Sequence, residues 1–506
     1  MTHRLISRLI FIWVMLTLPR AMSAEERSTG LTLDNGWYVH RGKVVWGLAQ
    51  HNGWWRAGQR PNIARNAPGL IGPNRTEDLD RLTSAMLRFG YPGFEHNFGL
   101  WYDRRRDAHD QAQRKDDKVV PPFLEQPWAR SDKGKAWDGL STYDLTKFNN
   151  WYFHRLKQFA DLCDHKGTLL FHNHYMQHAL LETSAHYVDF PWRPANCIQN
   201  TELPDRNPAA SEFYDVSHPL RRNLHRGYIR KCLEVLGENT NVVFLCSEEY
   251  TGPLSFMQFW LDTVFEWEDE TRRDVHVGLG ATRDVMDAIL SDTVQAKRIS
   301  TIDLRYWWYN PNGSLMAPPG GRHVAGRYTY EISRTTPSQI HRQVVKCRAK
   351  YPGKAIIHGD PGTLQHVWAA LTGGASMLVG QLPYPEKKDP IDYISPERCR
   401  EIQPTYDFLR KNLGATLSQM SPHDELVKSD KSVWCLANPK SDYLVYTIEG
   451  SSIQLDLSAT AMAFTAKWFD PRTGNLINAH NRPVAGGSIV HFTPPDQQDW
   501  VLWLNK

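Results

Sequence analysis

Two apolar stretches of the chain end in carboxylates, and these carboxylates are the residues best suited to chemistry. One stretch begins at Val242 and ends in Glu248 and Glu249, and another begins at Ala355 and ends in Asp360. Hydrolysis of a glycosidic bond needs two carboxyl groups, one protonated to assist the leaving oxygen and one ionised as nucleophile or base. Glu248, Glu249 and Asp360 are therefore the candidate catalytic residues. Because adjacent strand residues face opposite ways, only one of the two glutamates is expected to face the site.

Polar and aromatic side chains follow most of the other apolar stretches. Such groups can hydrogen-bond sugar hydroxyls or lie flat against a sugar ring, and the chain is rich in them, with 19 Trp, 20 Tyr and 21 His. Asp303 and Glu331 are reserve candidates for a catalytic carboxylate. The residues expected to bind a substrate are His51, Trp55, His96, His172, His174, Asp303, Tyr306 and His358.

Two alternatives to this interpretation remain open. His172 and His174 fall on one face of a strand, which would suit a metal-dependent hydrolase. No distinctive ligand motif accompanies them, and histidines that bind hydroxyls or orient carboxylates explain the same pattern, so neither a metal nor another cofactor is predicted. The second alternative is a sugar-binding protein that has a barrel scaffold and no catalytic activity.

Eight strand-like stretches, each followed by a helical pattern, must position these residues. The count predicts a (β/α)8 barrel, an α/β fold in which active sites lie at the carboxyl ends of the strands. A doubly wound sheet is the main alternative, but no G-x-G-x-x-G or P-loop follows any strand. The predicted strands are 44–49, 93–97, 168–171, 242–246, 275–279, 298–304, 355–358 and 375–379, and the predicted helices are 76–89, 141–166, 220–236, 255–270, 283–290, 337–350, 364–371 and 396–413.

Connections and chain ends complete the predicted organisation. Long connections at 98–140, 173–218 and 305–335 all follow strands, and short alternating runs predict a C-terminal antiparallel β-sandwich over 423–506. The barrel domain is placed at 25–422, with a short N-terminal β segment whose hairpin signals are Asn35-Gly36 and Arg41-Gly42.

Residues 1–24 have the order of a secretory signal, which predicts an exported protein of the periplasm or the extracellular space. Its apolar run is too short to span a bilayer, so no membrane association is expected. Without its three arginines the formal charge falls from +4 to +1, which excludes nucleic acid as a partner. Seven widely spaced cysteines include no C-x-x-C pair, and any disulfides among them cannot be paired from the sequence.

Three further segments carry a resemblance to a known family. They are the tail with Trp468-Phe-Asp-Pro-Arg-Thr-Gly474 and Asp499-Trp-Val-Leu-Trp-Leu504, the segment 367–376, and the opening segment 42–49 with Trp54-Trp55. Together they resemble apiosidase-like glycoside hydrolases, which are barrel enzymes with a collagen-binding-like C-terminal domain.

The resemblance implies that Glu249 is the acid/base and that Asp360 is the second carboxylate, a position where the family more often has Glu. It does not imply collagen binding, and an accessory β domain that packs on the barrel is expected instead. The sequence thus predicts an exported glycoside hydrolase that acts on a plant or algal polysaccharide or oligosaccharide.

Overall fold

Eight parallel strands close into a barrel in the computed structural model. The described residues are 30–51, 79–96, 100–101, 124–181, 187–248, 250–305, 307–309, 312–316, 335–359, 362–380, 396–429 and 432–506. The barrel strands are β1 (Leu48–His51), β2 (Gly93–His96), β3 (Leu169–Met176), β4 (Val242–Glu248), β5 (His276–Leu279), β6 (Ile299–Asp303), β7 (Ala355–Gly359) and β8 (Met377–Gly380). Their order around the ring is β3-β4-β5-β6-β7-β8-β1-β2.

A long helix follows each barrel strand, so the predicted (β/α)8 fold is confirmed. The predicted long connections follow β2, β3 and β6. The helices are α1 (Leu79–Arg88), α2 (Asn150–Lys166), α3 (Pro219–Leu236), α4 (Leu254–Thr271), α5 (Arg283–Ser291), α6 (Pro337–Lys350), α7 (Leu364–Thr372) and α8 (Pro396–Asn412). Shorter helices lie at His178–Leu181, Ala210–Phe213 and Thr293–Arg298, and two-stranded pairs are formed by Leu100–Trp101 with Leu124–Glu125 and by Trp308–Tyr309 with Leu315–Met316.

Side-chain alternation divides the barrel strands into an inner and an outer face. Phe171, Leu245 and Ile357 belong to one buried cluster that fills the barrel interior. Phe244 and Ile356, one residue away, belong instead to the large core between the strands and the helices. Both faces are apolar because a parallel barrel is covered on both sides. In a regular strand, residues an even number of positions apart face the same way, and we say that they have the same parity. Parity relative to an interior residue therefore indicates which polar side chains face the barrel axis.

An N-terminal hairpin closes the amino end of the barrel. Its strands, Leu31–Asp34 and Trp37–His40, are joined by Asn35 and Gly36, both with positive φ, which is the two-residue turn that Asn-Gly predicts. A second such turn leads to Lys43–Val44, so the predicted first barrel strand at 44–49 begins later, at Leu48. Tyr38 packs among the interior side chains, and its hydroxyl lies 2.8 Å from the Thr301 hydroxyl.

The predicted helix 141–166 is two elements. Tyr143–Phe148 is a strand that pairs with Trp128–Arg130, and α2 begins only at Asn150. The boundary is Asn149, whose side-chain oxygen accepts hydrogen bonds from the Trp151 and Tyr152 amides at 3.1 and 3.3 Å. Capping of this kind satisfies amides that have no partner within the helix.

Asn149→Ala is expected to lower the free energy of unfolding by about 2 kcal/mol, because it removes this cap and the hydrogen bonds that Asn149 Nδ2 donates to Glu125 and to the Gln126 carbonyl oxygen. Urea denaturation at neutral pH checks the value. Asn150→Ala is the matched control, since Asn150 is exposed in the first turn and makes no capping bond. Equal losses in the two variants would contradict the role given to Asn149.

The C-terminal residues form two antiparallel sheets that enclose a second core. The larger sheet also contains Ser421–Pro422, which pairs with Val433–Asn438 and lies just before the predicted domain start at 423. Its remaining strands are Asp442–Thr447, Trp500–Asn505, Ala463–Phe469, Leu476–Asn478 and Val484–Ala485, and the smaller sheet consists of Val427–Lys428, Ile453–Asp456 and Ile489–Phe492.

The outer face of the larger sheet packs directly on the barrel helices. The Trp368 ring on α7 stacks on Tyr446 with centroids 5.7 Å apart, and Phe408 on α8 stacks on Phe469 at 4.1 Å. His341 on α6 stacks on Trp434 at 5.0 Å. The five side chains other than His341 belong to the same continuous core as the barrel, which is the packing role expected for this domain.

Over the described part of the chain, no helix combines the length and the apolar character needed to cross a bilayer. The six cysteines whose side chains are described are free thiols, and Cys246 is buried on β4 as its apolar surroundings predict.

Candidate active site

Four polar side chains form a buried cluster at the carboxyl end of the barrel. Glu95 on β2, Asn173 on β3 and Asp303 on β6 have the inward parity of Phe171 and Thr301, and Arg305 follows β6 by two residues. We call Glu95, Asn173, Asp303 and Arg305 the mouth cluster. All four are at most 7% exposed, so their polar groups must satisfy one another or a ligand.

Arg305 links the two carboxylates of the mouth cluster. Its Nε donates to Asp303 Oδ2 at 2.7 Å, its backbone amide donates to Asp303 Oδ1 at 2.9 Å, and its Nη1 pairs with Glu95. Asn173 Nδ2 donates to the same Glu95 oxygen at 2.7 Å. With one guanidinium between two carboxylates, the formal charge of the cluster is −1. Carboxylates held in this way act as hydrogen-bond acceptors and are poorly placed to supply a proton.

The end of β5 makes room for this arrangement. A Cβ built on Gly280 would lie 3.1 Å from Asp303 Cβ and 3.4 Å from its carboxylate. Such contacts are tight, so a larger side chain at this position would displace Asp303. Gly280 therefore belongs to the structural support of the site.

The four described histidines among the predicted substrate ligands lie on the outer face of the barrel. His96 Nε2 is 3.1 Å from the Tyr152 hydroxyl on α2, and His358 Nε2 is 3.2 Å from Gln343 Oε1 on α6. His172 and His174 contact Phe244 on the same face, and His174 also contacts Trp260 on α4. This placement corrects the expectation drawn from strand ends alone, because a fully buried ring that faces the helices is not placed to contact a substrate.

Burial keeps these rings neutral. It lowers the pKa of His96 to about 3 and the pKa values of His174 and His358 to about 4, and it lowers the pKa of His172 well below its usual range. A neutral ring costs least in an apolar layer, since the charged form would lose its hydration.

These low pKa values predict a protein that loses stability in acid. Unfolded histidines bind protons below about pH 6.5 whereas the buried rings do not, so stability is complete above that pH and falls as the pH drops toward 4. From pH 6.5 to 5 we expect a loss of about 2 kcal/mol for each such ring. Urea denaturation at the two pH values measures it. His96→Phe should reduce the loss, whereas His154→Gln, which changes an exposed ring, should leave it intact. Equal losses in all three proteins would contradict the assignment.

Glu248 is the last residue of β4, and its side chain is 2% exposed. Which of the two glutamates faces the site stays a prediction.

The other predicted site residues are not placed by the structure. His51 ends β1 in register with Glu95, and its side chain lies outside the described part. The remaining predicted positions lie outside the described residues, so their roles stay predictions. They are Glu249, Asp360, Trp55, Tyr306 and Glu331.

Sequence reasoning missed three members of the mouth cluster, Glu95, Asn173 and Arg305. A signal was present for Asn173, because it follows the interior residue Phe171 by two positions and therefore shares its face. The metal and sugar-binding hypotheses are based instead on the flanking His172 and His174, which face the opposite side of the strand from Asn173.

Comparisons with known proteins agree with this architecture. A protein family described as "Domain of unknown function (DUF6298)" matches residues 15–391, and one described as "Putative collagen-binding domain of a collagenase" matches residues 423–505. No curated protein matches the chain.

Two similar solved structures share the fold over nearly the whole length. One is described as a glycoside hydrolase, with a TM-score of 0.55 and 11% identity, and the match covers 95% of this chain and 97% of that chain. The other is a glycoside hydrolase family 5 protein from Bacteroides vulgatus ATCC 8482, with a TM-score of 0.56, 11% identity and coverage of 95% and 94%. At this identity the likeness is one of fold.

Proposed function

Because the chain belongs to the family described as "Domain of unknown function (DUF6298)", which is named for no activity, we propose from the site itself that it hydrolyses a glycosidic bond. The substrate class is a plant or algal polysaccharide or oligosaccharide, and the leader-like residues 1–24 support action after export. Two of the solved structures that share its fold are described as glycoside hydrolases, which supports the same class of reaction.

The observation that carries the proposal is the strand order. β4 and β7 are three strands apart in a ring of eight, so their carboxyl ends flank the barrel axis from different sides. Glu249 directly follows β4 and Asp360 directly follows β7. Glu249 is the proposed acid, as the resemblance to apiosidase-like glycoside hydrolases implies.

In the proposed reaction, Glu249 protonates the glycosidic oxygen as the bond to the anomeric carbon breaks. Asp360 either attacks that carbon or removes a proton from the attacking water, and one water molecule is consumed for each bond cleaved. A separation of ~5–5.5 Å between the two carboxyl groups would give retention of configuration, and ~6.5–9.5 Å would give inversion.

The mouth cluster supplies the floor of the proposed site. Its carboxylate and amide oxygens can accept hydrogen bonds from sugar hydroxyls, and the Asn173 amide and the Arg305 guanidinium hold those acceptors in place. His51, Trp55 and Tyr306 are the proposed residues around the sugar above this floor. The outward histidines are not part of it, which removes the pattern that suggested a metal-dependent hydrolase.

A panel of plant and marine oligosaccharides tests the proposal. Chromatography of the products should show new reducing ends from at least one member, at a rate that EDTA leaves unchanged. Binding by calorimetry without any hydrolysis would instead indicate a sugar-binding protein. Activity that EDTA abolishes and added metal restores would indicate a metal-dependent hydrolase.

A further inference from the structure

A second group of chemically capable side chains lies outside the barrel interior, between β3 and α3. It consists of His172 and His174 on β3 and Cys232 on α3, which we call the His2Cys cluster. One ligand atom from each residue lies within 4.8 Å of the others, and all three side chains are fully buried. None of them belongs to the mouth cluster, because His172 and His174 lie on the opposite face of β3 from Asn173 and Cys232 lies on α3.

Three of the four imidazole nitrogens of the His2Cys cluster lack hydrogen-bond partners within the described part of the chain. Neither Nδ1 nor Nε2 of His172 has one within the described part of the chain, and the same is true of His174 Nε2. A buried polar atom without a partner costs about 1–3 kcal/mol. An ion bound by one nitrogen of each ring would satisfy two of these three atoms.

The orientation of His174 suits a metal ligand. Its Nδ1 lies 3.1 Å from the Leu245 carbonyl oxygen, which can only accept, and 3.3 Å from Trp260 Nε1. With its proton on Nδ1 toward this carbonyl, the ring would present the lone pair of Nε2 to a metal. A second ring nitrogen that donates to a backbone carbonyl is the usual outer support of a histidine ligand.

A hydrogen bond to its backbone also holds His174 in place. The Tyr228 hydroxyl donates to the His174 carbonyl oxygen at 2.8 Å and so ties α3 to β3 beside Cys232. The ligand atoms therefore come from two elements that this hydrogen bond fixes relative to each other.

The apolar surroundings of the cluster favour a metal whose complex carries no net charge. Rings of His96, Tyr228, Phe244 and Trp260 contact the two histidines. One thiolate and two neutral imidazoles would leave a charge of +1 around Zn²⁺, whereas with Cu⁺ the complex is neutral. A net charge buried among aromatic rings is costly. Thiolate and imidazole ligands also suit Cu⁺.

We propose that His172, His174 and Cys232 bind one Cu⁺ ion in three-coordinate geometry. On binding, the Cys232 thiol loses its proton to solvent and its sulfur binds Cu⁺, so the formal charge of the site is unchanged. The site is independent of the proposed glycosidase reaction, and its burial means that the ion enters while the chain folds.

Metal content tests the proposal. The full chain is produced in medium with added copper, purified without oxygen, and analysed for copper and zinc per polypeptide. We expect about one copper in the wild type, and an absorption-edge spectrum typical of Cu⁺ with one sulfur and two nitrogen neighbours. Cys232→Ala and His172→Phe should each lose the copper, and His172→Phe keeps an aromatic ring in the aromatic layer.

Cys163→Ala is the matched control, since Cys163 is an equally buried thiol on α2 outside the cluster. It should retain the copper. Thermal unfolding of each variant shows whether it is folded when its metal is counted. Copper that persists in folded Cys232→Ala, a folded wild type without copper, or zinc alone at the same residues would each overturn the proposal.

Discussion

Glu249→Gln is expected to lower kcat on a cleaved oligosaccharide by about 10²–10⁴-fold, because an amide cannot protonate the leaving oxygen. Asp360→Asn should cause a loss of the same order, since it removes the proposed nucleophile or base. Initial rates of reducing-end release over a range of substrate concentrations measure both effects. KM should change much less than kcat, since neither side chain is proposed to supply most of the binding.

Glu248→Gln is the matched control for Glu249→Gln. The two residues are adjacent and carry the same group, but only Glu249 is proposed to protonate the leaving oxygen. Its replacement should leave kcat within a few-fold of the wild type. If Glu248→Gln were inactive while folded and Glu249→Gln were active, the assignment of the two residues would be reversed.

Arg305→Met is expected to lower the free energy of unfolding by about 3–5 kcal/mol, which is typical of breaking a buried ion pair from one side. Arg305 is the guanidinium between Glu95 and Asp303, and its removal leaves both carboxylates buried without that charge. Chemical denaturation monitored by tryptophan fluorescence checks the value.

Arg410→Met is the control for the loss of an arginine. Its partner Asp407 is three residues away on α8 and both side chains are exposed, so the loss should stay below about 1 kcal/mol. The triple variant Glu95→Gln, Asp303→Asn, Arg305→Met should be more stable than Arg305→Met, because no unpaired charge remains. A loss below 1 kcal/mol in Arg305→Met would show that solvent reaches the mouth cluster.

Much of the fold could be predicted because its helix boundaries have local causes. Helix α6 has its predicted bounds, since Thr336 and Gln339 form a capping box and Pro337 occupies the first turn. The stretch 143–148 could not be assigned in the same way. Leu145, Phe148 and Tyr152 recur at helical spacing, yet the chain changes from strand to helix at Asn149 between them.

The site was harder to predict because both faces of a parallel strand are apolar. Along β3, the chain Phe171, His172, Asn173, His174 offers no polar face from which to tell inside from outside. Position at a strand end therefore identified the right region of the barrel but the wrong side chains. The sequence alone does not tell which strand residues face the barrel interior, and the structure identifies them.

The position of Tyr38 has a consequence for how the chain reaches its native state. Its hydroxyl partner Thr301 is 263 residues away in the sequence, and β1 pairs with β8, the last strand of the ring. The sheet therefore keeps two unpaired edges until β8 has been synthesised, and such edges invite association with other chains. Contacts of this sequence separation form slowly, so we expect a newly made chain to depend on protection from aggregation until its ring is complete.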